Sequence, residues 1–304
     1  MNVELLVIGA GPAGVSAALW AKALELDVLL LDGAPVPGGQ LHAVHFHPQD
    51  VPGFEQGDGP ALAAAYARQL AAASVPLRTA CFAETLEAGE GRTPRVTLAG
   101  GEAVEARAVL VASGVRRRRL EVPGEREFEN KGVSFSATRD REQLAGRTVA
   151  VVGGGDAAFE NALLLEQAGS RVTIVVRGVP RARAEFRSRA AAAGITVLPD
   201  TRVLAVLGDD RARALRISGP GGERELAAEG FVIKAGVVPN SEWCRGSLAC
   251  DAEGYVVVDE RLATTAPAVW AAGDITRPQP PSIPVAIGQG AQAIAMIRAA
   301  LRGR

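Results

Sequence analysis

The chain has 304 residues, 48% hydrophobic and 22% charged, with 35 Gly and 18 Pro. At about 100–200 residues per domain it holds about two domains, and this apolar content excludes general disorder. Lys+Arg (33) against Asp+Glu (34) leaves a net charge of −1, so no overall basic field draws nucleic acid or an anionic membrane, and 4% aromatics is sparse for a base-stacking surface.

Residues 5–21 carry no charge. A signal peptide needs a basic leading region, and the only charge before this run is Glu4; the run is also short for a membrane span and contains glycines and a proline. A buried strand followed by a turn explains it better. Apart from Glu4, Val3 to Ile8 is apolar without alternation, as in a parallel strand covered on both faces. It runs into Gly9-Ala10-Gly11-Pro12-Ala13-Gly14, a helix over 12–25, and a second strand from Val28 to Asp32. This is the dinucleotide fingerprint in its context. Gly9 makes the tight turn, Gly11 admits a pyrophosphate to the backbone, and Gly14 lets helix pack on strand. The helix N-terminus offers free N–H groups to phosphates. Asp32 stands where a carboxylate grips ribose hydroxyls. The bland alternative is a Gly-rich turn without a ligand.

The unit occurs a second time. Arg147 to Val152 is a strand, Gly153-Gly154-Gly155-Asp156-Ala157-Ala158 the turn, residues 157–168 a helix stopped by Gly169, and Val172 to Val176 the next strand. Gly153, Gly155, Asp156 and Ala157 are the expected nucleotide contacts. No acid follows this strand. Arg177 takes its place, with Arg181 and Arg183 beyond, which favours the 2′-phosphate of NADP(H). The competing reading is a solvated loop in a chain where Lys occurs only at Lys22, Lys131 and Lys234. Two dinucleotide folds in one chain suggest a flavin and a nicotinamide that meet for hydride transfer.

Further motifs accompany the fingerprints: Gly38-Gly39-Gln40, Val51-Pro52-Gly53-Phe54, Val111-Ala112-Ser113-Gly114, Phe231-Val232 leading to Gly236 and Pro239-Asn240, and Ala271-Ala272-Gly273-Asp274. With these, the chain resembles the low-molecular-weight thioredoxin reductases and their relatives over essentially its whole length. The resemblance implies an α/β fold of two Rossmann-like three-layer domains, the second inserted in the first. The FAD domain would comprise residues 1–115 and 244–304, and the NAD(P)H domain residues 116–243. It implies FAD and NADP(H) as cofactors and a homodimer. Toward FAD it implies Gly9, Gly11, Pro12, Ala13, Gly14, Asp32, Gly39, Gln40, Asp50, Ser113, Gly114, Gly273 and Asp274. The aspartate of the Ala-Gly-Asp motif would bind the ribityl chain, and a helix from about Gly288 would point its N-terminus at the pyrimidine end of the flavin.

The departures matter as much. Thioredoxin reductases carry a redox-active C-x-x-C within a Gly-Val-Ser-Tyr-Cys-Ala-Thr-Cys-Asp stretch. This chain reads Gly132-Val133-Ser134-Phe135-Ser136-Ala137-Thr138-Arg139-Asp140. Neither a hydroxyl nor a guanidinium stores two electrons as a disulfide does. Cys81, Cys244 and Cys250 are too few and scattered for a disulfide scaffold and include no C-x-x-C pair, so a reducing cytoplasm is expected, with Cys244 and Cys250 as packing residues. The bacillithiol-disulfide-reductase relatives place a cysteine in the first fingerprint, where Ala13 stands. The branch that naturally lacks the pair is the thioredoxin-reductase-like ferredoxin/flavodoxin–NADP(+) reductases, and the chain is similar to them at Asp50-Val51. That branch usually has a C-terminal extension over the flavin, whereas this sequence stops at Arg304 after its last helix. Its flavin is therefore expected to be more open to small acceptors. The expected enzyme is an FAD-dependent NAD(P)H oxidoreductase without a redox disulfide. Its acceptor is ferredoxin or flavodoxin, or else a small molecule such as quinone or oxygen. The alternative is a flavin-binding sensor that NAD(P)H does not reduce.

Two local features remain. All three histidines, His42, His45 and His47, follow Gly39-Gln40. They are read as weak candidates for proton transfer, as wall or interface groups, or, least favoured, as metal ligands; no metal is expected. Arg116 to Arg119 form a run after Ser113-Gly114, either a solvated linker or a docking patch for an acidic carrier.

Overall fold

In the computed structural model, which describes residues 2–303, the apolar run near the start becomes strand β1 (Asn2–Ile8). Leu5 and Val7 enter one hydrophobic cluster while Leu6 and Ile8 enter another, so both faces of the strand are covered. That is why the sequence shows no alternation. Each such fully buried side chain contributes roughly 1.5–3 kcal/mol of apolar burial.

The chain divides into two compact units, one running to Arg116 and resuming at Val238, the other spanning Arg117–Val237. In the first, β1 leads to α1 (Pro12–Ala23), β2 (Val28–Leu31), α2 (Gly59–Ala72), β3 (Leu77–Arg78), β4 (Ala83–Glu87), β5 (Arg95–Leu98), β6 (Ala103–Val111) and β7 (Val115–Arg117). The second holds β8 (Val133–Ser134), α3 (Arg141–Leu144), β9 (Thr148–Val152), α4 (Asp156–Glu166), β10 (Arg171–Val175), α5 (Ala184–Ala192), β11 (Thr196–Leu198), β12 (Arg202–Gly208), β13 (Ala212–Gly219), β14 (Gly222–Ala227) and β15 (Gly230–Ile233). After the return strand β16 (Val237–Pro239) come β17 (Val269–Ala271) and α6 (Ile283–Arg302).

The first unit is built on a sheet of order β3-β2-β1-β6-β5-β4. Strand β6 serves two neighbours along one edge: its start pairs antiparallel with β5, and its end pairs parallel with β17. This brings the carboxyl ends of β1, β2, β6 and β17 to one side, where α/β folds bind ligands. Helices α1 and α6 pack together on one face. The second unit is a parallel sheet of order β11-β10-β9-β15-β8, with α4 and α5 on one face and the antiparallel β12-β13-β14 sheet on the other. Alternation again sorts the residues: Val149, Val151 and Val232 face α4, whereas Ala150, Phe231 and Ile233 face Leu215 and Ile217.

Two boundaries differ from the sequence reading. The return crossing falls between Val237 and Val238 rather than at residue 244, because β16 pairs with the outgoing strand β7 and Asn240 N–H already donates to the Gly114 carbonyl. The last helix starts at Ile283, not near Gly288. Ser282 caps it by accepting from Val285 N–H, and the proline that follows sits in the first turn, where its missing N–H costs nothing. No helix among the described residues is long and apolar enough to cross a membrane.

Candidate functional site

The first unit contains a cavity of about 590 Å³ at the carboxyl ends of its parallel strands. Its walls are the β1–α1 turn, the stretch after β2, the loop at Gly39-Gln40-Leu41, the end of β6, and the segments around Asp274 and Ser282. Gly9 has φ +106°, and a Cβ there would lie 2.3 Å from the Ala112 carbonyl oxygen. Only glycine lets β1 turn against the end of β6. The N-cap of α1 is Gly11, which has no side chain to satisfy the first N–H groups, and Pro12 follows. Those N–H groups are left for a phosphate. Gly11, Pro12 and Ala13 all line the cavity, and nothing stands within 4 Å of a Cβ on Gly11.

Asp32, 9% exposed at the end of β2, lines the same cavity. Its Oδ2 accepts from Ala10 N–H (2.5 Å) and its Oδ1 from Ala34 N–H (2.7 Å), which fixes the carboxylate beside the glycine turn while each oxygen keeps a lone pair for a hydroxyl. Asp274 presents a different picture. Burial raises its pKa, and its carboxylate has no hydrogen-bond partner among the described residues. A half-buried carboxylate facing a cavity calls for a donor from a ligand. The turn that holds it is braced by Gln289, whose Oε1 accepts from Gly273 N–H at 2.8 Å. The cavity thus offers an open helix N-terminus for a pyrophosphate, a fixed carboxylate for a ribose and an unpartnered one for a polyol chain. This donor set fits FAD.

The other expected contacts are placed as follows. Gly39 and Gln40 line the cavity, and Gln40 Nε2 donates to the Val115 carbonyl at 2.8 Å. Gly14 lies in the first turn of α1. Ser113 and Gly114 line the cavity, but the Ser113 hydroxyl is engaged, donating to the Asn240 carbonyl at 2.8 Å. Asn240 Nδ2 returns a bond to the Ser113 carbonyl, and Arg116 binds Asn240 Oδ1 and pairs with Glu242 at 2.6 Å. This lock ties the outgoing chain to the returning chain. Asp50 is exposed and is not part of the wall. Nor are the histidines: His42 shares a hydrogen with the Pro37 carbonyl, His47 with the Gly57 carbonyl while stacking on Phe54, and His45 is half-buried. Among the described residues no cluster of three or more His, Cys, Asp or Glu is arranged to hold a metal.

Sequence reasoning missed Phe82, Trp243 and Ser282 in the wall. Phe82 is 62% exposed and covers Gly33, 2.5 Å from where a Cβ would sit. No motif marks it, because its place depends on β3 pairing with β2, after which Ala80 N–H donates to the Ala34 carbonyl and Cys81 N–H to the Asp32 carbonyl. The arginine run makes contacts of its own. Arg116 pairs with Glu242, Arg119 with Glu129 (2.7 Å), and Arg118 donates to the Val237 carbonyl. Two of the four guanidinium charges are thus met by carboxylates.

In the second unit Gly153, at the end of β9, has φ +152°, and a Cβ there would meet the Lys234 carbonyl oxygen at 2.2 Å. Gly155 is the N-cap of α4, again without a side-chain cap. Asp156 begins the helix, and Ala157 follows it, exposed. The carboxylate of Asp156 accepts from both the backbone N–H and Nε of Arg183, each at 2.7 Å. The backbone bond first, then the guanidinium, hold its pKa below the usual range. Arg183 also lies over the Phe186 ring. Arg181 N–H donates to the Gly154 carbonyl, folding the loop after β10 onto the glycine turn. Arg177 and Arg181 are exposed, and among the described residues neither has a carboxylate within ion-pair distance. Of the three arginines, two are left for a ligand phosphate and one is bound to Asp156.

Residues 3–290 match the family described as pyridine nucleotide-disulphide oxidoreductase. The chain is 32% identical over 301 residues to an alkyl hydroperoxide reductase component of Pseudomonas putida, covering 95% of this chain but only 56% of that protein's length. It is 33% identical over 323 residues to a ferredoxin–NADP reductase of Thermus thermophilus, covering 98% of this chain and 92% of that one. The fold is similar to the thioredoxin reductase of Lactococcus lactis, with a TM-score of 0.83, 29% identity, and 99% and 100% of the two chains covered.

Proposed function

From a chain that belongs to the pyridine nucleotide-disulphide oxidoreductase family and is an FAD-dependent NAD(P)H oxidoreductase, we propose that NADPH is the donor. Electrons then leave for an acceptor without passing through a protein disulfide. Bound FAD supplies the redox chemistry, taking hydride from the nicotinamide and passing electrons on. The observation that carries this reading is the 134–139 segment. Ser136 is 5% exposed, and its N–H donates to Ser134 Oγ at 3.0 Å while its hydroxyl accepts from Arg139 N–H. Arg139 is spent on Asp140 at 2.7 Å. These are closed hydrogen-bonding groups with no sulfur. All three cysteines lie in the other unit. Cys244 is fully buried in an apolar cluster, and burial pushes its thiol up to about 12, so it supplies no thiolate near neutral pH.

Arg177 and Arg181 support NADPH over NADH. The favoured acceptor is a ferredoxin or flavodoxin, supported by the likeness to the Thermus enzyme; a small acceptor such as quinone or oxygen is the second choice. Anaerobic stopped-flow mixing of the purified yellow protein with NADPH, and separately with NADH, tests the donor. Bleaching near 450 nm is expected to be faster with NADPH by about tenfold or more, the worth of one guanidinium–phosphate contact. Equal rates would remove the NADP preference, and no bleaching with either would leave the chain without a nicotinamide donor. Reoxidation by ferredoxin, flavodoxin, quinone and oxygen in turn then ranks the acceptors.

A homodimer is part of the proposal. Trp20 on α1 is 50% exposed beside a groove of about 350 Å³ shared with Phe54, Leu62 and Tyr66, and the buried Tyr66 hydroxyl has no partner within the described chain. Light scattering should give twice the chain mass, with Trp20→Glu shifting it to the single mass. A wild-type protein of single mass at high concentration would end the dimer reading.

A further inference from the structure

The nucleotide unit holds a cation that no fingerprint assigns. Lys234 directly follows β15 and is one of only three lysines in a chain that otherwise uses arginine. Its N–H donates to the Val152 carbonyl at 2.7 Å, so the strand geometry continues through it. Alternation then fixes its face. Val232 belongs to the cluster with α4, while Phe231 and Ile233 face the opposite sheet. Lys234 therefore projects on the α4 side, at the carboxyl end of the strand. It is half-buried, and among the described residues it has no ion pair. The nearest charges are Glu160 on α4 and Arg117 on the outgoing strand.

Topology says what this place is for. In the order β11-β10-β9-β15-β8, the chain proceeds from β9 through β10 to β11 on one side and returns as β15 on the other. The crevice between β9 and β15 is the topological switch point, where open α/β sheets bind their ligands. Arg177 follows β10 and marks the adenosine side. A dinucleotide whose pyrophosphate meets the Gly153–Gly155 turn must then lay its nicotinamide half toward β15. The Lys234 backbone is in contact with that turn, since the missing Cβ of Gly153 is what makes room for the Lys234 carbonyl. Lysine binds phosphate as a point charge.

We propose that Lys234 binds the nicotinamide-side phosphate of NADP(H), and so anchors the half of the nucleotide that carries the hydride. This rests on the reading of NADPH as donor. Burial first, and Arg117 second, lower the Lys234 pKa to about 8, with Glu160 opposing. A bound phosphate would raise it. The contribution to binding is thus complete below about 8 and is lost as pH rises through the bound-state value. The nucleotide's own 2′-phosphate ionises near 6 and is constant above pH 7.

Isothermal titration calorimetry on the flavin-loaded protein tests this with two probes. One is NADP+; the other is adenosine 2′,5′-bisphosphate, which lacks the nicotinamide half. Lys234→Met, which keeps the stem, should weaken NADP+ by about ten- to a hundredfold and leave the bisphosphate unchanged. Lys234→Arg should retain most of the affinity. Between pH 7 and 9.5 the wild-type affinity for NADP+ should fall, and that of Lys234→Met should stay level. Equal NADP+ affinity in wild type and Lys234→Met overturns the proposal, as does equal weakening of both probes, which would report a damaged fold. A wild type that binds neither probe nor NAD+ defeats instead the nucleotide reading of the unit, and the role of Lys234 with it.

Discussion

Gly9→Ala protein is expected to purify nearly colourless. The added Cβ would lie 2.3 Å from the Ala112 carbonyl oxygen, 2.7 Å from the Ala112 carbonyl carbon and 3.0 Å from the Ser113 Cα. All three are backbone atoms of the segment leaving β6, and no rotamer change moves them. Ala112 N–H is held by the Ile8 carbonyl, and Ala272 N–H by the Val111 carbonyl, so relief requires the centre of the sheet to shift. The φ of +106° is a second penalty for any residue with a Cβ. Backbone strain and overpacking each cost about 1–3 kcal/mol, a large part of an ordinary 5–15 kcal/mol stability. The turn also aims the first N–H groups of α1 and receives the Asp32 carboxylate through Ala10, so flavin affinity falls with stability. The ratio of absorbance at 450 and 280 nm and the melting temperature, with and without added FAD, measure both. Gly11→Ala is the matched comparison. Its Cβ meets nothing within 4 Å, so the protein should melt normally without flavin and lose only affinity, because the methyl stands where a pyrophosphate approaches. A yellow, wild-type-like Gly9→Ala would show that the β1–α1 turn is not what holds the flavin.

The sequence made legible those parts in which one local conformation is demanded by chemistry. Gly9, Gly11 and Asp32 were readable because strand, turn and helix follow one another within the span of the motif. Asp274 was readable through the residues around it. Phe82 and Trp243 were not, since each reaches the cavity wall by the way distant strands meet, and neither has a spacing rule. The start of α6 was placed late because the apolar run blurs there, while the deciding group, the Ser282 cap, is a single hydroxyl. The Ser113–Asn240 lock and the pairing of Arg116 with Glu242 join residues more than 120 positions apart. In sequence, Arg116 to Arg119 is simply a charge run. Lys234 is the reverse case, plain in the sequence and given meaning only by the strand order.

Gly153→Ala protein should remain yellow and bleach far more slowly with NADPH. Here the clash lies entirely within the second unit: the Cβ would stand 2.2 Å from the Lys234 carbonyl oxygen, 2.8 Å from its carbon and 3.1 Å from the Ala158 Cβ. The first two atoms are backbone at the end of β15, pinned by the Lys234 N–H bond to Val152, and the third is at the root of α4. Opening this contact moves the free end of α4 and the turn together, the two features that present N–H groups to the pyrophosphate. A displacement of about 1 Å at a positioning element can cost about a hundredfold in rate, and weakened binding adds to it. The flavin cavity is lined wholly by residues of the first unit, so FAD content should match the wild type. Anaerobic stopped-flow mixing with NADPH should show bleaching slowed by about a hundredfold or more at fixed nucleotide, while dithionite, which needs no nucleotide site, still bleaches the flavin fully. Loss of FAD along with the NADPH reaction would mean that the two units do not hold their nucleotides independently. Wild-type bleaching would remove the glycine turn after β9 from the nicotinamide site and send the search for that site elsewhere on the chain.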